Sequence, residues 1–256
     1  MTPVIGLLAA AIVQTPGAAV RPYVAVSAPI VALTHVRVID GTGAPAVEDQ
    51  TIVIANGAIA SIGPAAGDLI RFLVSKHVAM TSTLTVFETF TPGRPPASPA
   101  ALDAMLPEAR DQYLRQRVRI AASRDTTWVV LLRKEMQLER AFAQAGGLLL
   151  TGTDPTGYGG VVAGFANHRA LELLVEAGFT PLEAIRIGTL NGATYLGRAD
   201  RVGSIALGKQ ADLVVVAGDP SSRIGDVRNV ELVFKQGIAY DPAKLIESVK
   251  GKVGLF

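Results

Sequence analysis

The chain has 256 residues, 49% hydrophobic and 18% charged, which is enough to bury a core in one large domain or two small ones. Lysine and arginine number 24 against 22 acidic residues, a net charge of +2, so there is no basic surface to bind nucleic acid. The absence of cysteine excludes disulfides, thiolate metal ligands and a cysteine nucleophile.

Residues 1–19 contain an apolar run at 4–13 followed by Gln14, Thr15, Pro16, Gly17, Ala18 and Ala19. That order resembles a signal peptide, although no Lys or Arg precedes the run. Export, to the periplasm or beyond, is the expectation, with a cytoplasmic chain as the alternative. Every later apolar stretch is broken by charge or glycine, so no transmembrane span is predicted.

From 31 to 62 the pattern is strand, turn, strand, turn, strand: VALTHVRVID, GTGAPAVEDQ, TIVIANGAIASIG. Asp40-Gly41 and Asn56-Gly57 supply the positive φ that tight hairpins require. Beyond Gly67 the spacing of Leu69, Ile70, Leu73 and Val74 is helical. Residues 78–87, rich in Val, Thr and Leu, predict a buried strand. A proline-rich loop spans 92–99. A charged, solvent-facing helix is predicted over 107–124, with Arg115, Arg117 and Arg119 on a solvated face or lid. An amphipathic helix follows over 128–145 and is stopped by Gly146-Gly147. Residues 148–152 then form a short buried strand that ends in Thr153-Asp154-Pro155.

Two further helices are predicted over 165–177 and 181–196, the second opened by Thr180 as N-cap with Pro181 in its first turn. Short strands at 204–205, 211–216 and 230–234 close the chain. Strand-rich ends around a helical middle suggest that the two ends build one sheet domain, and no internal repeat is visible.

Four segments carry a resemblance. VRVIDGTG with IVIANGAIASIGP resembles the opening β-sandwich of the amidohydrolase superfamily, in its imidazolonepropionase-like and prolidase-like branch. GLLLTGTDPTG resembles that family's eighth barrel strand, LELLVEAGFTPLEAIRIGTLNGATYLG the helices after it, and GSIALGKQADLVVVAGDP the returning sandwich strands. The fold implied is α/β plus β. Residues 68–199 would be the last strands of a (β/α)8 TIM-like barrel, and 31–67 with 200–240 a composite β-sandwich. The resemblance also implies hydrolysis of a C–N bond in a small amide, dipeptide or cyclic amide, assisted by a divalent metal with zinc as the expected ion. In the family a carboxylate on the eighth strand stands beside the metal and moves the proton of the attacking water, and that role falls on Asp154.

The sequence departs from the family pattern where metal chemistry begins. It holds only His35, His77 and His168, and no HxH pair. The segment between Gly67 and residue 196 is far shorter than the roughly 250 residues of a whole barrel, so strands one to six are expected to be missing and the metal not to be retained.

Asp154 therefore stands as candidate catalytic residue and metal ligand, against the plainer reading of a helix N-cap. His168 stands as a substrate-facing candidate, against a structural helix-face histidine. His35 and His77 read as structural, Trp128 as core, and Gly157, Gly159 and Gly160 as a flexible loop. Three functions are carried forward: a metal-dependent C–N hydrolase, a catalytically inactive truncated fragment, and a β-sandwich binding module. Open sheet edges in a partial barrel also favour self-association into a homo-oligomer.

Overall fold

The computed structural model describes Ala19 and residues 21–26, 28–64, 67–155 and 160–254. Apart from Ala19, the leader-like segment lies outside the described residues, as do Gly157 and Gly159. The chain divides into two compact units, Met1–Ser75 and Lys76–Phe256.

The first unit is an antiparallel meander of β1 (Ile30–Val38), β2 (Val47–Ala55) and β3 (Ala58–Pro64). Ala55 pairs with Ala58 across Asn56-Gly57, both at positive φ, the two-residue hairpin that this dipeptide prescribes. The register of β1 on β2 slips between Leu33 and Val36, a stretch that includes His35 at φ 56°. There His35 Nδ1 lies 2.5 Å from Asp49 Oδ1 in an exposed pair. Thr51 and Val53, two apart and so on one face of β2, are fully buried. Helix α1 (Gly67–Ser75) packs on β2 and β3 and buries Ile70.

The second unit opens with a βαβ arrangement. Strand β4 (Met80–Ser82) lies parallel to β5 (Leu149–Thr151), with Met80 opposite Leu149 and Ser82 opposite Thr151. Between them run α2 (Leu84–Phe90), α3 (Pro99–Ala104), α4 (Pro107–Ala121) and α5 (Thr127–Gln144). The strand predicted over 78–87 is thus confined to three residues. The chain turns helical at Leu84 although Thr85, Val86 and Phe87 favour strands, because a helix lets Phe87 and Phe90 meet Trp128 of α5. The Phe90 ring stacks on the indole at 4.8 Å and Phe87 meets it edge-on at 6.1 Å.

Helix α4 also differs from expectation. It buries Tyr113, Arg117 and Ile120 on one face, so Arg117 is an interior residue, whereas Arg115 stays on the solvent side in an ion pair with Asp111.

After β5 come α6 (Phe165–Glu176) and a helix that runs as α7 (Pro181–Arg186), a π-turn (Ile187–Asn191) and α8 (Gly192–Tyr195). Thr180 caps it in a full capping box with Glu183 and Pro181 in the first turn, as the sequence predicts. A Cβ at Gly188 in the π-turn would lie 2.7 Å from Leu171 Cδ2, so a larger residue there would require that side chain to shift. Among the described residues the parallel sheet has two strands and no barrel closes. The π-turn packs on β5, where Asn191 Nδ2 donates to the Leu149 carbonyl at 2.9 Å.

The C-terminal part is an antiparallel sheet of β6 (Leu213–Val216), β7 (Val230–Lys235) and β8 (Ile238–Tyr240), followed by α9 (Pro242–Val249). Residues 204–205 form no strand, and β8 joins β7 through Gln236-Gly237, both at positive φ. No helix among the described residues is long and apolar enough to cross a membrane.

Candidate active site

The ends of β4 and β5 are drawn together at their C-terminal side. The Gly152 amide donates to the Ser82 carbonyl at 2.8 Å, and a Cβ at Gly152 would sit 2.7 Å from Thr81 Cγ2. A larger residue at this position would require the Thr81 side chain to move. One residue on, the Thr153 carbonyl accepts a hydrogen bond from the Thr85 hydroxyl at 3.0 Å, which ties the first turn of α2 to the loop after β5. Asp154 follows at once. It is exposed and adopts φ 43°, a left-handed conformation that Asp tolerates better than most residues. The plainer reading as an N-cap does not hold, because α6 starts eleven residues later with Gly164 as its cap.

His168 lies half-buried on α6. Burial and the nearby Arg228 guanidinium hold its imidazole below the usual histidine range, with Glu172 pulling weakly the other way. The ring is therefore neutral at physiological pH.

Beside these positions is a cavity of about 220 Å3, walled by α2, the loop before α3, α4, the loop ahead of α6 and α6 itself. Neither Asp154 nor His168 lines it. Its charged lining is a network that sequence reading did not pick out. Glu88, almost fully buried on α2, accepts from Arg94 Nε at 2.8 Å and from Arg169 Nε and Nη2 at 2.8 and 2.7 Å. Arg94 also forms a bidentate pair with Glu176 at 2.6 Å for both bonds. Arg169 reaches Glu172 at 2.8 Å, and Arg228 grips the same carboxylate with Nη2 at 2.9 Å.

This pairing fixes the charge states. Burial works against the Glu172 charge, yet hydrogen bonds from Arg228 and Arg169 outweigh it and hold the carboxyl below its usual range. Glu176 is lowered chiefly by its hydrogen bonds from Arg94. The one visible hint in the sequence is the spacing of Arg169, Glu172 and Glu176 on one face of α6. The other partners come from distant segments.

A hydrolytic metal site needs about three protein ligands and an open position for water. Among the described residues no group of three or more His, Asp or Glu side chains is placed to hold a metal ion. The three histidines include His35 on β1 and an exposed His77 between α1 and β4. This donor set does not fit the metal centre that the resemblance implies.

Comparison with known proteins bears on the greater part of the second unit. Residues 105–239, over half of the chain, match the amidohydrolase family. The chain belongs to that family.

An imidazolonepropionase of Phocaeicola vulgatus is 60% identical over 40 residues, covering 16% of this chain and 10% of the relative. One of Desulfotalea psychrophila is 41% identical over 61 residues, 23% of this chain and 15% of the relative. A solved Xaa-Pro dipeptidase with bound methionine is similar at 25% identity and a TM-score of 0.48, over 68% of this chain and 37% of that one. The matched stretches thus span well under half the length of each of these relatives. Asp154 lies within the matched region of this amidohydrolase, as do Arg117, Arg169, Glu172 and Arg228.

Proposed function

We propose that this amidohydrolase acts in the hydrolysis of a C–N bond in a small amide, dipeptide or cyclic amide, with Asp154 as the group that moves the proton. The observation that carries the reading is the position of Asp154. It stands at the C-terminal end of a parallel strand, inside the matched family region, where barrel enzymes keep their chemistry. Membership of the amidohydrolase family supports a C–N bond as the bond broken.

In such a reaction water adds its oxygen to the carbonyl carbon, the C–N bond breaks, and the nitrogen leaves with a proton. Asp154 is suited to accept the water's proton and return it to the nitrogen, since an exposed carboxylate at a strand end reaches both. The donor set of the described residues does not fit a metal, so no step is assigned to one.

A second reading, a catalytically silent relative, is favoured by the same donor set. One experiment separates the two. Released amine is measured from a panel of N-acyl amino acids, Xaa-Pro dipeptides and cyclic amides, with and without added Zn2+, for the chain and for Asp154→Asn. Turnover that falls about 10^2–10^4-fold in D154N supports the hydrolase. Turnover unaffected by D154N removes Asp154 from the reaction, and no turnover under any condition supports the silent relative.

A further inference from the structure

The charges around the cavity do not cancel, and the excess sits on one side chain. Arg94, Arg169 and Arg228 are each matched to carboxylates among Glu88, Glu172 and Glu176. Arg117 is not. It is 8% exposed, lines the cavity, and has no carboxylate within ion-pair distance among the described residues. Its Nη1 donates to the Thr89 carbonyl and its Nη2 to the Arg94 carbonyl, both at 2.6 Å. An arginine carries five N–H donors, so three remain without a partner among the described residues.

A buried guanidinium is costly to keep without an anion. The two carbonyls supply partial charge only, the first from the C-terminal end of α2. They also hold the guanidinium in place, which lowers the entropic cost of binding a ligand there. The cavity lining also includes Pro95, Ala97, Ala101, Val162 and Phe165, which are apolar. Three arginines against two glutamates line the space, so its field favours an anion. At about 220 Å3 the space is smaller than the roughly 300–1,000 Å3 that takes a drug-sized ligand.

We propose that this cavity is a binding site for a small aliphatic monocarboxylate, whose carboxylate pairs with Arg117 and whose short chain lies against the proline and alanine wall. The inference does not require that the chain hydrolyse anything, because binding alone reads it.

The test is a calorimetric titration of the whole chain with butyrate and with butyramide, which share shape and differ in charge. Butyrate is expected to bind saturably and at least about tenfold tighter than the amide, a difference of about 1.4 kcal/mol. Arg117→Gln is expected to abolish that preference and Arg117→Lys to keep part of it. Equal binding of the two probes, no butyrate binding up to about 50 mM, or an unchanged preference in R117Q would each overturn the proposal. Arg117 also ties the end of α2 to α4, so R117Q is checked for its circular dichroism spectrum. If it does not fold, the comparison of acid with amide on the unaltered chain, together with R117K, still decides. A purely structural role for Arg117 predicts no difference between the probes.

Discussion

Glu88 and Glu139 are both buried in the second unit, and they meet opposite surroundings. Glu88 on α2 receives three hydrogen bonds from two arginines, Arg94 and Arg169. Glu139 on α5 is fully buried, and among the described residues no arginine, lysine or histidine pairs with it; the Ser82 side chain is its one polar neighbour that favours the charge. Burial pushes its carboxyl up to about 8; the Ser82 side chain offsets part of the rise and Glu135, one turn away on the same face, adds to it. Glu135 is itself raised by burial. The fold thus pairs one interior carboxylate with arginines and, by desolvation, favours the neutral form of the other.

Removing the paired acid is expected to have the largest effect. Glu88→Ala leaves Arg94 with only Glu176, and Arg169 with Glu172 and a distant Glu176 oxygen, in a largely buried setting. Breaking a buried pair from one side costs about 3–5 kcal/mol. Denaturant unfolding of E88A against the parent chain should show a loss of that size. A loss below about 1 kcal/mol would mean that the network behaves as a solvated one.

The neutral acid has the opposite signature. Its pKa is higher in the fold than in the unfolded chain, so the folded state binds the extra proton. Stability is retained below the unfolded value of about 4.5 and falls as pH rises toward 8. Glu139→Gln removes that titration. Relative to E139Q, the parent chain should lose on the order of 1–3 kcal/mol between pH 5 and pH 8. Parallel stability profiles for the two would refute the account of Glu139 as a neutral interior acid.

The two glutamates were not equally hidden in the sequence. The helix that carries Glu139 was legible, as were most of the helices and hairpins, because periodicity, capping and turn dipeptides are local signals. The short buried strand ahead of Asp154 was legible in its apolar run and the turn residues after it. Glu88 was missed because its partner Arg169 lies 81 residues away and because residues 78–87 favour strands on β-propensity, while the helix is decided by packing against Trp128. Glu139 was missed because Glu139-Arg140 reads as a charged surface pair, and only the packing of α5 turns one of the two inward. Arg117 was assigned to a solvated face for the same reason: three arginines at alternate positions say nothing of which one a neighbouring segment covers.

A third glutamate sharpens the contrast with the smallest expected effect. Glu183 is exposed, yet its carboxylate accepts from the Thr180 amide at 2.7 Å and from the Thr180 hydroxyl at 2.8 Å, and these bonds hold it below the usual range. In return the Glu183 amide donates to Thr180 Oγ1 at 3.2 Å, so the box satisfies two amides at the start of α7. Thr180→Ala removes the hydroxyl and should cost about 1 kcal/mol. Here the folded pKa is depressed, so the stability that Glu183 contributes is present above its unfolded value near 4.5 and is lost as pH falls through the folded value. The cost of T180A should therefore be larger at pH 7 than at pH 3, the reverse of the trend at Glu139. A T180A penalty that is the same at pH 7 and pH 3 would show that the box is held by the hydroxyl alone and that the Glu183 charge contributes nothing.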